Sequence, residues 1–245
     1  MIFDSHNHIG FRHGNVGQNA EEMIRQMDEA GVDRAVVFSF IEKTDNNYVS
    51  EMVKKFHDRL VGYALVNSFD SDADQQFLHA IFDLGLRGLK MDTPRRAFSL
   101  NDFDLLDPIL SICNSYHLPV IAYGANDNPF THPYKFGEMA VRYPNANFIL
   151  AHMGILFATG QAIEMAKTHR NIYIETSNVN ASAIRDAVKK AGAEKVLFGT
   201  DSPFSFFKIT KLTVEMSVTT SRELDLVNGE NMQRILSEIT LQTIF

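Results

Sequence analysis

The chain has 245 residues, 45% of them hydrophobic and 22% charged, with a formal net charge of −7. That length suits one (β/α)8 barrel, long enough to bury a full core without covalent staples. The acidic balance excludes the basic footprint of a nucleic-acid-binding protein, the single cysteine, Cys113, excludes an internal disulfide, and no apolar run reaches the ~18 residues of a membrane span.

In chain order, short apolar runs alternate with helical spacing. Ile2–His8 reads as the first strand, followed by a helix over Ala20–Ala30 that sets Met23, Ile24, Met27 and Ala30 on one face. Strand Arg34–Phe40 precedes helix Asn46–Asp58, strand Leu60–Asn67 precedes helix Asp72–Leu84, and strand Leu86–Met91 precedes helix Phe103–His117. Strands Pro119–Gly124, Asn147–His152 and Ile172–Thr176 precede helices Tyr134–Tyr143, Gly160–Thr168 and Ser182–Ala191. The eighth strand, Lys195–Thr200, is followed by helical stretches near Ser205–Ser217 and Gly229–Glu238. Glycines at Gly31, Gly85 and Gly192 stand where a left-handed residue closes a helix. Strict βα alternation implies a parallel sheet covered by helices; an open doubly wound sheet shares the local pattern, and eight strands favour closure into a barrel. No low-complexity tract or linker interrupts the chain, so one domain over residues 1–245 is expected. Cys113 sits among Ile109, Leu110 and Ile112 and reads as a small buried hydrophobe. The N-terminus shows no secretory signal pattern, so the cytoplasm is the expected location.

The chemistry-bearing residues stand at strand ends. Asp4-Ser5-His6-Asn7-His8 closes the first strand; alternate strand residues share a side, so His6 and His8 project together, and two neutral imidazoles suit a divalent metal such as zinc. His152 ends Phe148-Ile149-Leu150-Ala151, Asp201 ends Val196-Leu197-Phe198-Gly199-Thr200, and Lys90 ends Leu86-Arg87-Gly88-Leu89. A barrel gathers those ends at one mouth, where active sites are built. A His-x-His pair alone also fits two histidines hydrogen-bonded at a strand terminus; the three further strand ends favour a metal site.

These segments, with Ala151-His152-Met153-Gly154, Phe198-Gly199-Thr200-Asp201-Ser202-Pro203 and the closing Gly229-Glu230-Asn231, resemble the amidohydrolase superfamily, in its amidohydrolase-related branch of TIM-barrel hydrolases and decarboxylases. The resemblance runs over essentially the whole chain. It implies His6 and His8 as metal ligands and Asp201 as a ligating, proton-shuttling carboxylate. It implies His152 as a ligand or a substrate-polarising group, and Lys90 in the place where two-metal members carry a carbamylated lysine. One departure stands out: the branch usually ends strand five with histidine, and here Pro119-Val120-Ile121-Ala122-Tyr123-Gly124 ends in Tyr123. A neutral phenol is a poor zinc ligand, so one divalent ion is expected, zinc or manganese, with Lys90 an unmodified cation and no second metal. His132 offers a substitute ligand from its loop, or an ordinary loop histidine.

The expected reaction is hydrolysis of an amide, cyclic amide, lactone or ester of a small, carboxylate-bearing molecule by a metal-activated water, with Asp201 as acid–base and His152, Lys90 and Tyr123 facing the oxyanion. The same branch admits a non-oxidative decarboxylase, and loss of the strand-five histidine admits a barrel that only binds a ligand. Arg12 and His13 after strand one, Arg95 and Arg96 after strand four, and Glu175 near the end of strand seven are the candidate substrate contacts, Glu175 alternatively supporting a ligating histidine. No membrane partner is expected, and self-association is left open.

Overall fold

Alternation of side chains along each strand sorts the apolar residues into two layers, and this sorting builds the fold. The computed structural model describes residues 1–12, 17–91, 93–155 and 157–241. Within them ten short strands form: β1 (Phe3–Asp4), β2 (His8–Ile9), β3 (Arg34–Ser39), β4 (Leu60–Gly62), β5 (Ala64–Leu65), β6 (Leu89–Met91), β7 (Pro119–Tyr123), β8 (Asn147–Ala151), β9 (Ile172–Glu175) and β10 (Val196–Leu197). They make eight staves, since β1 with β2 and β4 with β5 are halves of single interrupted staves.

The ladders are parallel throughout. β1 and β2 both pair with β3, β3 pairs with β4, and β5 to β10 follow in sequence order. Ala64 N–H bonds the Gly88 carbonyl at 2.8 Å and Tyr63 N–H the Val37 carbonyl at 2.9 Å, carrying the sheet across the broken third stave. Closure comes from the last stave: Ser5 N–H donates to Phe198 O at 2.9 Å, Asp201 N–H to His6 O at 2.8 Å, and His8 N–H to Ser202 O at 2.8 Å. Those bonds leave no open edge between first and last stave, which decides for a (β/α)8 barrel over an open sheet.

Inside the barrel lie Phe3, Val36, Phe38, Val61, Tyr63, Ile121, Ile149, Ala151, Tyr173 and Leu197, joined by Met232 and Ile235. Their strand neighbours, such as Ala35, Val37, Phe148 and Leu150, face outward and pack with helical Met23, Met27, Phe77, Leu110 and Met139. Each Val, Leu, Phe or Met side chain so withdrawn from water contributes roughly 1.5–3 kcal/mol. Cys113 is in this outer layer, and burial pushes its thiol pKa up.

Two expectations need correction. The first strand is not continuous: it is interrupted between Asp4 and His8, where Ser5 N–H and His6 O bond the eighth stave while Asn7 O still accepts from Phe38 N–H of β3 at 3.1 Å. Near the C-terminus, a helix over Ser221–Asp225 and a π-helical turn over Leu226–Glu230 precede helix Asn231–Ser237, where a single stretch near Gly229–Glu238 was expected. The signal was present: Glu223 N–H bonds Thr220 Oγ1 at 3.2 Å, and Thr220 Oγ1 donates to Glu223 Oε2 at 2.8 Å, a hydrogen-bonded helix start.

Candidate active site

The mouth opens into a cavity of about 370 Å³ lined by His6, His8, Lys90, Met91, Arg95, Tyr123, Asp127, His152, Asp201 and Phe204. The seam between first and last stave holds three of these in register. Asp4, fully buried, accepts from His6 N–H at 2.9 Å, Thr200 N–H at 3.1 Å and Thr200 Oγ1 at 2.6 Å. Desolvation raises its pKa to about 7, against those hydrogen bonds. The latch fixes the backbone from which His6 and Asp201 project.

One oxygen of Asp201, Oδ1, lies 3.2 Å from His6 Nε2 and 3.3 Å from His8 Nε2. All three donor atoms fall within 4.8 Å of one another. For a tetrahedral ion with bonds of about 2.0 Å, ligand-to-ligand edges are about 3.3 Å. The spacing therefore fits one small divalent cation. The pKa of Asp201 lies below the usual carboxylate range despite burial, through Coulomb attraction to His6 and a hydrogen bond from His8 whenever those rings carry a proton towards it. Desolvation lowers the pKa of both His6 and His8, favouring their neutral, ligating forms.

Beneath this set, Glu175 acts as a hub. Its Oε1 accepts from His6 Nδ1 at 3.0 Å, His152 N–H at 2.7 Å and Ser177 Oγ at 2.7 Å, and its Oε2 from Ser177 N–H at 2.6 Å. Burial would raise its pKa, but the histidine and serine partners outweigh it and hold the group at about 2. An ionised carboxylate only accepts, so His6 carries its proton on Nδ1 and presents a lone pair at Nε2. The expectation that Glu175 touches substrate is corrected here: it is fully buried behind His6. Gly199 makes room for it, because a Cβ there would stand 2.3 Å from Glu175 Oε2.

The same proton accounting applies to His152. Ser177 has one hydroxyl hydrogen and gives it to Glu175, so its 2.7 Å contact with His152 Nδ1 requires that nitrogen to be the donor. Desolvation lowers the His152 pKa to about 4, leaving a neutral ring with an unprotonated Nε2. His152 therefore has no N–H to offer an oxyanion in this state, against expectation. Nor does it belong to the three-donor group of His6, His8 and Asp201; it groups with His6 and Glu175. His152 and Met153 leave β8 with positive φ, 63° and 46°. Ile149 and Ala151 point inward, and this turn brings the next side chain round to the mouth as well.

Lys90 alternates with outward Leu89 and Met91, so it faces the barrel. Its Nζ lies 3.4 Å from His6 Nε2 and 4.8 Å from the Phe38 ring centre. Tyr123 stands with its ring edge-on to His152, centroids 5.2 Å apart. Its hydroxyl donates to Asp127 Oδ2 at 2.8 Å, and burial together with that bond pushes its pKa up. Its proton is thus committed to Asp127 and not aimed at an oxyanion. His132 is not among the cavity-lining residues; its Nδ1 accepts from Tyr134 N–H at 3.4 Å.

Of the arginines, Arg95 lines the cavity and shares Glu42 Oε1 with Arg12, each at 2.9 Å. Arg12 lies over the Phe204 ring at 5.0 Å, outside the lining. Arg96 is also outside it, and His13 falls outside the described residues. Sequence reading missed Asp127, Ser177 and Asn178. The rule that polar residues at strand ends converge would have found the last two, since β9 runs into Thr176-Ser177-Asn178.

A closed eight-stave barrel with a His-His-Asp donor set at its mouth defines a metal-dependent TIM-barrel enzyme class. A family model described as Amidohydrolase matches residues 12–217, and the chain belongs to that family; His6 and His8 precede the matched stretch. No curated protein matches the chain. Among solved structures, it is similar to 5-carboxyvanillate decarboxylase from Sphingomonas paucimobilis, with 16% identity, TM-score 0.77 and coverage of 98% of this chain and 99% of that one. An uncharacterised TIM-barrel protein from Bordetella bronchiseptica has 17% identity, TM-score 0.83 and coverage of 97% and 98%. A dihydroxybenzoic acid decarboxylase from Polaromonas sp. JS666, solved with manganese and the inhibitor 2-nitroresorcinol, has 15% identity, TM-score 0.74 and coverage of 96% of each chain. At these identities the shared property is the fold. Among the described residues, no helix is long and apolar enough to cross a membrane.

Proposed function

We propose that this protein is a one-metal hydrolase that opens an amide, cyclic amide, lactone or ester bond of a small carboxylate-bearing molecule. The observation that carries the reading is the placement of Asp201 Oδ1 at 3.2 and 3.3 Å from two Nε2 atoms that their surroundings keep neutral. His6, His8 and Asp201 would hold the ion, zinc or manganese. A divalent cation there supplies Lewis acidity, polarising a carbonyl and acidifying water.

The protein's own groups divide the remaining work. Asp201, ionised and next to the reacting centre, accepts the proton of the attacking water and returns it to the leaving group. His152 offers a second acceptor through Nε2. Lys90 and Arg95 supply positive charge in the cavity, Lys90 beside the developing oxyanion and Arg95 for a substrate carboxylate. Glu175 and Ser177 orient the imidazoles without touching substrate. A small molecule fits the roughly 370 Å³ cavity.

A non-oxidative decarboxylase is the second reading, favoured by two of the similar structures, which are decarboxylases, and by the cationic side chains in the cavity. Metal content decides the first question: purified protein binding under about 0.2 equivalents of zinc, manganese, iron or nickel, with no uptake on titration, removes both readings. A panel assay then separates them. Ring opening of lactones or cyclic amides supports the hydrolase, whereas carbon dioxide release from hydroxylated aromatic acids replaces it with the decarboxylase.

A further inference from the structure

Asp201 has two oxygens with different partners. Oδ1 faces the two Nε2 atoms, while Oδ2 accepts from Asn178 Nδ2 at 2.9 Å. Because the carboxylate is ionised, the Asn178 amide must present its nitrogen. Asn178 is itself exposed, so it buries no apolar surface that would explain its place. Its backbone is left-handed, with φ 57°. Asparagine is one of the few non-glycine residues that tolerates that region, and unlike glycine it brings a donor to the position.

We infer that Asn178 is a positioning residue that holds Asp201 as a one-oxygen ligand and so keeps a coordination position open for water or substrate. This rests on the metal-site reading above. A carboxylate on a divalent cation can engage through one oxygen or both. Here rotation about the Asp201 Cβ–Cγ bond would bring Oδ2 towards the same point as Oδ1, and the Asn178 amide restrains that rotation. A catalytic site needs the unfilled position that a second carboxylate oxygen would take. The left-handed φ of Asp201 itself, 62°, sets the side chain between its histidine partners and Asn178.

The test uses Co2+ as the probe. Metal-free wild type, Asn178→Gly and Asn178→Ala are titrated with Co2+ while the visible ligand-field band is recorded, because its intensity falls as coordination number rises. Glycine keeps the left-handed backbone without strain, and alanine removes the amide while retaining a Cβ. Expected is a wild-type band of low-coordinate intensity and a clear loss of intensity in both variants, with metal-free melting of Asn178→Gly unchanged. Variant spectra that superimpose on wild type overturn the inference, even if affinity changes, since affinity alone would reflect lost charge stabilisation. If wild type takes up no Co2+, the metal-site reading fails first and this inference with it.

Discussion

Glu175 Oε1 and His6 Nδ1 are 3.0 Å apart in a fully buried contact that joins the seventh stave to the first. It fixes which nitrogen of His6 faces the mouth, so a residue that never reaches the cavity determines the donor atom that does. Replacing Glu175 with Gln keeps the shape but puts an amide where only acceptors are wanted. Metal affinity is expected to fall about 10–100-fold, read by titration of Zn2+ or Mn2+ against a chromogenic chelator; unchanged affinity would remove Glu175 from the site.

The ligands themselves are separable from their neighbours. His6→Ala deletes one of three donors, and Asp201→Asn keeps the shape while losing the charge. Turnover is expected to vanish in both, with metal content measured by mass spectrometry falling further for His6→Ala. Lys90→Ala is expected to slow catalysis and keep the metal. Metal loss in Lys90→Ala would point instead to a carbamate on that lysine.

Gly199 is where the motif Phe198-Gly199-Thr200-Asp201 meets Glu175. Gly199→Ala would drive a methyl to 2.3 Å from a buried carboxylate oxygen. Overpacking of this kind costs typically about 1–3 kcal/mol, so melting should fall by about 2–12 °C for a chain of this size. Calorimetry that shows no decrease would mean Glu175 has room to retreat.

Buried groups pull the stability of the metal-free protein in opposite directions as the pH falls. The folded-state pKa of His152 is depressed from 6.5 to about 4; its contribution is whole above pH 6.5 and is lost as pH falls through 4. Glu175 is depressed from 4.5 to about 2, so its contribution is whole above pH 4.5 and fades towards pH 2. Asp4, raised from 3.8 to about 7, has the opposite sign: its contribution is present below pH 3.8 and lost as pH rises through 7, which opposes the His152 step. Melting temperatures of wild type and His152→Gln between pH 7 and 4 isolate that step: relative to wild type, the variant should gain stability as the pH falls.

Eight βα units, the left-handed helix stop at Gly31 and the polar residues at strand ends are all legible in the chain, because period-two and period-3.6 patterns are local properties; the helix before Gly85 is capped already at Asp83, and Gly192 closes its helix outside the left-handed helical region. His6, His8 and Asp201 were nameable for the same reason: each follows an apolar run, and a barrel has one mouth. The two halves of the first stave were not legible, since Ser5 N–H and His6 O bond Phe198 and Asp201 at the other end of the chain. Nor was the protonation pattern. Glu175 as a support for a ligating histidine was one of two readings the sequence offered; that the histidine is His6, that Ser177 fixes His152 with its proton on Nδ1, that Tyr123 is committed to Asp127, and that Asn178 holds the second oxygen of Asp201 depend on distances in the folded chain. Composition and order decide which groups arrive at the mouth; only the closed barrel decides which lone pair each one presents there, because hydrogen-bond direction is a property of neighbours in space.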